Sequence, residues 1–131
     1  MGIRRFEDIE AWQAARKLMN MVYDATEGSV FDTDRDLRRQ IRKAAVSSMS
    51  NIAEGFDAGS DNEFQRFLRM AQRSATEVQS ELYVALDRGY LERAGFDALY
   101  DQARQTRRLI GGFIRYLHSS TSAPRGSKTK D

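Results

Sequence analysis

Arginine side chains recur along this chain at the three- and four-residue steps of an α-helix, and their chemistry is the most distinctive that the sequence offers. A guanidinium group presents a planar fork of N–H donors that matches phosphate and carboxylate oxygens. Basic helix faces of this kind neutralise backbone phosphates and give salt-dependent binding with little sequence selectivity. We therefore predict seven nucleic-acid-binding residues: Arg38, Arg39, Arg42, Lys43, Arg66, Arg69 and Arg73.

Other basic residues extend these series, and their pattern has two further interpretations. The additional residues are Arg35, Arg104, Arg107, Arg108 and Arg115, with Arg125, Lys128 and Lys130 near the C-terminus. The net charge is only +2, so each series also fits a solvated helix face paired with nearby Asp and Glu. Alternatively, the arginines form salt bridges between subunits. If the protein forms a symmetric ring, each basic patch is repeated around it, which favours the nucleic-acid interpretation.

The sequence offers almost nothing for enzyme chemistry. It has no Cys and one His, His118, near the C-terminus, which excludes thiolate nucleophiles and leaves no base for a hydrolytic triad. The Glu-x-x-His pairs of a di-iron bundle do not occur. Glu77 and Glu81 stand four residues apart, but Arg73 one turn earlier favours an ordinary solvated ion-pair face. We predict a non-enzymatic protein with no catalytic residue, no metal site and no cofactor.

The length and hydropathy of the chain indicate where such a protein would work. At 131 residues the chain is expected to form one domain. No apolar run approaches the roughly 18 residues that a membrane span needs, and the first residues lack the apolar core of a signal peptide. The absence of Cys is compatible with a reducing compartment. The expectation is a cytoplasmic protein with no membrane contact.

Four helical patterns position the basic residues. Apolar residues recur with helical period at about 8–27, 34–54, 61–88 and 94–118, and the single Pro lies at position 124. Connections of about five residues favour antiparallel neighbours, so residues 1–118 are predicted to form an all-α, up-down-up-down four-helix bundle. Residues 119–131 have the composition of a disordered basic tail. Trp12 lies on the apolar stripe of the first helix and is expected in the core rather than as a base-stacking platform.

Several short signals mark where these helices begin and end. Thr33 and Ser60, each followed three residues later by an acid, predict capping boxes at the second and third helix starts. Gly55 is expected to end the second helix in the left-handed conformation, and Gly89 to end the third. The pair Gly111-Gly112 inside the fourth helix suggests close contact with another backbone, which could belong to another subunit.

Three segments together resemble the 23S rRNA intervening-sequence protein family, a group of bacterial four-helix bundle proteins. The segments are FEDIEAWQAARKLMNMVYDAT, LRRQIRKAAVSSMSNIAEGF and NEFQRFLRMAQRSATEVQSELYVALDRGYL. The resemblance covers about residues 6–117, and the run SNIAEG with RFL after the next helix start is its most specific part. Met49 departs from the family pattern, which commonly has Pro at that position.

The resemblance implies an assembly and a set of partners. Family members look like ring-forming homopentamers, and Ser50, Asn51, Glu54 and Gly55 match the family motif. We expect Asn51 and Glu54 to hold the end of the second helix against a neighbouring helix or subunit. A branch of similar fold, the accessory variability determinant of diversity-generating retroelements, implies a basic pentameric barrel that binds nucleic acid and a reverse transcriptase. The expected function is an oligomeric bundle that binds RNA or DNA backbone through Arg-rich faces; the alternative is a protein-interaction scaffold with no nucleic-acid role.

Overall fold

The computed structural model describes residues 3–119. Within that range the secondary structure is helical, and there is no strand. A 3-10 turn at Phe6–Asp8 precedes five helices. The helices are α1 (Glu10–Ala25), α2 (Ser29–Asp32), α3 (Arg35–Phe56), α4 (Asp61–Asp87) and α5 (Arg93–Ser119). Of the tail predicted at 119–131, only Ser119 lies within the described residues, where it ends α5.

The four long helices close a bundle in which each packs against two neighbours. Helix α1 contacts α3 and α5, and α4 contacts the same two helices from the opposite corner. Neighbours run antiparallel. Ser48 Oγ on α3 donates to the Ala71 carbonyl on α4 at 3.0 Å, and Gly55, later on α3, lies beside Phe64, earlier on α4. Likewise the Gln102 side chain on α5 donates to the Ala14 carbonyl on α1 at 3.0 Å, and Phe113, later on α5, lines a pocket with Ile9, just before α1. Among the described helices, none combines the length and hydropathy that spanning a membrane requires.

The core is formed by two apolar clusters, one toward each end of the bundle. Trp12 is 8% exposed, and its ring meets the Phe6 ring edge-on with 5.2 Å between centroids, so the prediction of a core tryptophan is confirmed. The cluster around Trp12 contains Ile9, Ala11, Ala15, Ile52, Phe64, Leu68, Ala71, Ile110 and Leu117. The other cluster contains Leu18, Val22, Ile41, Ala44, Ala45, Val78, Leu82, Phe96, Leu99 and Ala103.

The connection between α1 and α3 contains the one-turn helix α2, which the sequence patterns do not predict. Phe31 on α2 is 2% exposed and belongs to a small cluster with Leu37 and Ala85. The Tyr90 ring packs beside Phe31 at 5.3 Å between centroids. Gly28 precedes α2 with a φ of 100°, a left-handed value that favours glycine. The connection therefore closes one end of the bundle instead of forming an exposed loop.

The structure tests both predicted capping boxes. Ser60 caps α4 as predicted, because its Oγ accepts a hydrogen bond of 3.1 Å from the Glu63 amide. The prediction for Thr33 is wrong, since α3 is capped by Asp34, whose carboxylate accepts from the Leu37 amide. Thr33 ends α2 instead, and its hydroxyl donates to the Val30 carbonyl. The unexpected helix α2 thus moves the start of α3 by one residue.

Gly55 does not end α3, which corrects the sequence-based interpretation. It lies inside the helix, and the described glycines with positive φ are Gly28 and Gly89. A Cβ atom at Gly55 would lie 2.7 Å from Phe64 Cδ1 and 2.8 Å from Phe67 Cβ. Glycine at this position therefore serves close approach of α3 to α4. Gly89, with a φ of 79°, follows α4 in the left-handed conformation as predicted.

The α4–α5 interface contains a polar layer at the level of the glycine pair. The Gln72 amide donates a bond of 3.0 Å to the Arg107 carbonyl, and Arg107 Nη1 donates one of 3.2 Å to Gln79 Oε1. A Cβ atom on Gly111 would lie 3.1 Å from Gln72 Nε2, whereas Gly112 has only the Arg115 side chain nearby. Within residues 3–119, the atoms that an added Cβ would meet at either glycine belong to side chains, so the glycine pair makes room for side chains.

Candidate functional site

A basic cleft lies between the C-terminal end of α1 and the first turns of α3. Its volume is about 420 Å³. Six side chains line it: Tyr23, Arg35, Arg38, Arg39, Arg42 and Lys43. Helix α3 brings its five cations together because they recur at steps of one, three or four residues on one side of the helix. Four of the seven predicted nucleic-acid-binding residues meet here, and the three arginines predicted on α4 do not line this cleft.

Arg42 is held firmly against the last turn of α1. Its Nε donates a hydrogen bond of 2.8 Å to Thr26 Oγ1, and its Nη2 donates one of 3.4 Å to the Tyr23 carbonyl. The guanidinium carbon lies 4.4 Å from the centre of the Tyr23 ring, within cation–π range. A cation at a helix C-terminus is favourable because it offsets the negative end of the helix dipole. Arg42 therefore has two roles: it holds the end of α1 against α3, and it contributes positive charge to the cleft.

Arg38 ties α2 and α1 to α3. Its Nη2 lies 2.9 Å from Asp32 Oδ1, and its Nη1 donates to the Thr26 carbonyl at 3.3 Å. The side chain is only 21% exposed. Arg39, by contrast, points into solvent and pairs with Asp36 one turn earlier, at 3.1 Å. An exposed pair of this kind contributes little to stability, so Arg39 exchanges partners easily.

The charges that line the basic cleft are not balanced by carboxylates. Asp32 and Asp36 offset Arg38 and Arg39. Within the part of the chain that the structure describes, Arg35, Arg42 and Lys43 form no ion pair. Three positive charges thus remain uncompensated in one recess, which makes it attractive to an anion.

The arginines of α4 form a second, separate basic surface. Arg66 is engaged: its Nη2 lies 2.6 Å from Glu63 Oε2, and its guanidinium lies over the Phe67 ring at 4.9 Å. The hydrogen bond from Arg66 holds the pKa of the Glu63 carboxyl below its ordinary value. Arg69 and Arg73 are exposed and form no ion pair with any described residue. The solvated-pair interpretation therefore fits Arg66, and it also fits Arg104 on α5, which pairs with Asp101.

The residues of the SNIAEG motif have different surroundings. Asn51 bonds to its own helix, donating from Nδ2 to the Ser47 carbonyl at 2.9 Å and to Ser47 Oγ at 3.1 Å. Ser47 Oγ in turn lies 2.9 Å from Ser74 Oγ on α4, so Asn51 reaches the neighbouring helix through a serine. Ser50 is partly buried, and Glu54 is exposed beside a cleft of about 410 Å³ that the N-terminal segment also lines.

Glu77 and Glu81 do not form the solvated ion-pair face that the sequence suggests. Arg73 makes no ion pair with either residue in the described structure. Burial, followed by the charge of Glu77 and a hydrogen bond with it, raises the pKa of Glu81 to about 7. Glu81 Oε1 is buried without a hydrogen-bond partner among residues 3–119. The same range contains no group of three or more His, Cys, Asp or Glu side chains that could hold a metal.

We expect Glu81 to make the protein less stable as the pH rises. The unfolded chain loses this proton near its ordinary pKa of 4.5, whereas the folded chain keeps it until about 7. The free energy of unfolding therefore falls by about 1 kcal/mol between these two pH values, once solvent screening of a partly exposed side chain is counted. Above about pH 7 this contribution stays constant. Urea unfolding at about pH 5 and about pH 8 measures the decline. Glu81→Gln removes this decline; a variant that declines as steeply as the wild type contradicts the assignment.

Sequence reasoning missed two residues: Tyr23, which lines the cleft, and Thr26, which is buried behind it and holds Arg42 in place. Both lie at the end of α1. In the sequence, Tyr23 fits the apolar stripe of that helix and Thr26 fits its end. A signal was present, because a short connection in an antiparallel bundle sets the end of one helix beside the start of the next. Pairing residues 23–26 with 38–42 on that basis would have found them.

Comparison with known proteins agrees with the architecture. A crystal structure of a protein of unknown function from the S23 ribosomal protein family of Bacteroides thetaiotaomicron has the same fold, with a TM-score of 0.72 and 17% sequence identity. The similarity covers 79% of this chain and 97% of that chain. No curated protein matches the chain significantly. In a comparison with protein families, the 23S rRNA-intervening sequence protein matches residues 7–112. The match spans most of the chain and all four long helices in whole or in part, and the chain therefore belongs to the 23S rRNA-intervening sequence protein family.

Proposed function

We propose that this protein is a non-enzymatic, oligomeric helical bundle that binds the phosphate backbone of RNA or DNA. The observation that carries the proposal is the basic cleft, where five cations of α3 line one recess and three have no carboxylate partner among the described residues. Arginine forks and a lysine are the side chains that most often contact backbone phosphates. No described cluster of side chains offers a competing metal site.

The dimensions of the cleft suit a short run of phosphates. Arg35 and Lys43 are eight residues apart on α3, a rise of about 12 Å along the helix. Along a duplex axis each strand carries one charge about every 3.4 Å, so this length corresponds to about three or four phosphates of a duplex strand and to fewer of a more extended single strand. Contacts of this kind fix position without reading sequence. The proposed binding is accordingly electrostatic and sensitive to salt.

We further propose that the protein works in the cytoplasm as a ring-like homopentamer. A closed ring repeats the basic cleft once per subunit, and several weak sites on one assembly bind a long polyanion far more tightly than one site does. The family resemblance supports the ring, and light scattering tests it directly. A particle of about five times the 15.0 kDa chain is expected. A monomer would contradict the assembly.

Removing the unpaired cations of the cleft should weaken binding and its dependence on salt. For Arg35→Ala/Lys43→Ala we expect the slope of log K against log salt to shrink by about 1.4 for a single strand, since each phosphate contact contributes about 0.7. The free energy of unfolding should be unchanged within about 0.5 kcal/mol because both side chains are exposed. Fluorescence anisotropy over a salt series measures the slope.

The matched control for this variant is Arg93→Ala/Arg104→Ala. It removes the same charge from exposed residues of α5 that do not line the cleft. We expect it to retain nearly the full slope. Equal losses from both double variants would show that net charge, not the cleft, determines binding.

The alternative is a protein-interaction scaffold, and one surface favours it. Tyr83 and Val84 on α4 are 48% and 43% exposed. The Tyr83 ring packs on the buried Phe96 and the partly buried Tyr100 of α5, at 4.9 and 5.8 Å between centroids, so Tyr83 is the exposed member of this aromatic group. Such surfaces commonly contact protein partners. A protein that forms oligomers but binds nucleic acid weakly and independently of salt would favour this alternative, with a protein partner such as a reverse transcriptase.

A further inference from the structure

We infer that the basic cleft takes a single strand rather than a duplex, with one base stacked at the Tyr23–Arg42 pair. This inference rests on the proposed function and adds the kind of nucleic acid that the cleft accepts. Tyr23 is the one aromatic residue that lines the cleft. Its partly buried ring packs with no other aromatic ring among the described residues, and Arg42 lies over it at 4.4 Å.

The Tyr23–Arg42 pair is held in place before any ligand arrives. Arg42 donates to Thr26 Oγ1 at 2.8 Å and to the Tyr23 carbonyl at 3.4 Å, so its guanidinium is fixed to the helix that carries the ring. Thr26 is itself 2% exposed, and its hydroxyl donates to the Val22 carbonyl. A rigid pair loses little conformational entropy on binding, which raises affinity. Aromatic rings and guanidinium planes are the surfaces on which unpaired bases stack.

The lining of the cleft favours a single strand. One aromatic ring lies beside five cations around a volume of about 420 Å³. A duplex hides the faces of its bases in the stack, so only its phosphates could reach the cations. An unpaired strand can place its phosphates along Arg35, Arg39 and Lys43 and turn one base toward the Tyr23–Arg42 pair, in which Arg42 covers one face of the ring. The arrangement thus combines a charged track with one stacking platform.

Three probes of about 12 nucleotides test the inference with the full-length protein, within the range of single-strand site sizes. They are a single-stranded DNA of mixed sequence, an abasic strand with the same number of phosphates, and the corresponding duplex. We expect the protein to bind the single strand about tenfold more tightly than the abasic strand, the range for one stacked base. The duplex should also bind more weakly than the single strand. Inorganic polyphosphate serves as a fourth probe and should behave like the abasic strand.

Variants of Tyr23 locate the base contact. Tyr23→Phe keeps the ring and should retain the preference for bases, whereas Tyr23→Leu should lose most of it and bind single and abasic strands alike. If Tyr23→Leu unfolds, the comparison of probes with the wild type and with Tyr23→Phe still tests whether the cleft prefers a single strand that carries bases. Equal affinity of the wild type for single, abasic and duplex probes would overturn the inference and leave phosphate binding intact. Failure to bind any probe would overturn the proposed function itself.

Discussion

Replacing Trp12 with Ala is expected to lower the free energy of unfolding by about 3–5 kcal/mol, the usual cost of deleting a buried indole. Trp12 is 8% exposed and belongs to the same core cluster as Ile52 and Leu68, so its removal leaves a cavity in that cluster. The Phe6 ring also loses its edge-on partner. Urea unfolding followed by far-ultraviolet circular dichroism measures the change.

Trp12→Phe is the matched control, because it keeps a ring in the cluster and should cost clearly less. The folded fraction of Trp12→Ala should bind nucleic acid as the wild type does, since Trp12 does not line the basic cleft. A variant that keeps its stability but loses binding would assign Trp12 a role as a base-stacking platform and remove it from the core.

Gly55→Val is expected to lower the free energy of unfolding by about 3 kcal/mol, at the upper end of the range for overpacked positions. The first added carbon would already lie 2.8 Å from Phe67 Cβ, an atom that cannot move without its backbone. The two methyl groups would then extend toward the Phe64 ring, which is 4% exposed. Helices α3 and α4 would have to separate, and thermal or urea unfolding measures the cost.

Gly55→Ala and Gly59→Ala form a matched pair for this prediction. Gly55→Ala should cost about 1 kcal/mol, because its steric clash outweighs the gain in helix propensity. Gly59→Ala should change stability by less than about 0.5 kcal/mol, since nothing lies within 4 Å of its Cβ position. If both alanine variants are neutral, close approach of α3 and α4 is not the reason for glycine at position 55.

Helical periodicity predicts the four long helices because each buries one continuous apolar stripe, a property that local sequence expresses directly. The short helix α2 is not predicted, since one turn has no period and its single buried ring depends on Leu37, Ala85 and Tyr90 arriving from elsewhere. Gly55 is misread for a similar reason. A glycine near a helix end looks the same in sequence whether it serves a left-handed turn or close packing, and only the position of Phe64 and Phe67 decides.

The candidate site is predicted in part. The α3 cations are visible in sequence because they share one helix face. The partners of these cations are not visible in the sequence. Asp32 reaches Arg38 because of the turn of α2, and Tyr23 and Thr26, which contact Arg42, lie at the end of α1. The sequence does not show whether the α3 and α4 arginines share a surface, and in the structure the α4 arginines do not line the cleft.

The polar layer between α4 and α5 has a mechanical consequence. The partly buried Gln72 and the buried Gln79 meet Arg107 in one alignment of the two helices, and sliding by a turn would leave the Gln79 amide without this partner at about 1–3 kcal/mol. Helices α4 and α5 each have 27 residues and are about 40 Å long, and these contacts fix their positions relative to each other. Helices α4 and α5 are therefore expected to move as one unit, because a shift of one past the other breaks both hydrogen bonds.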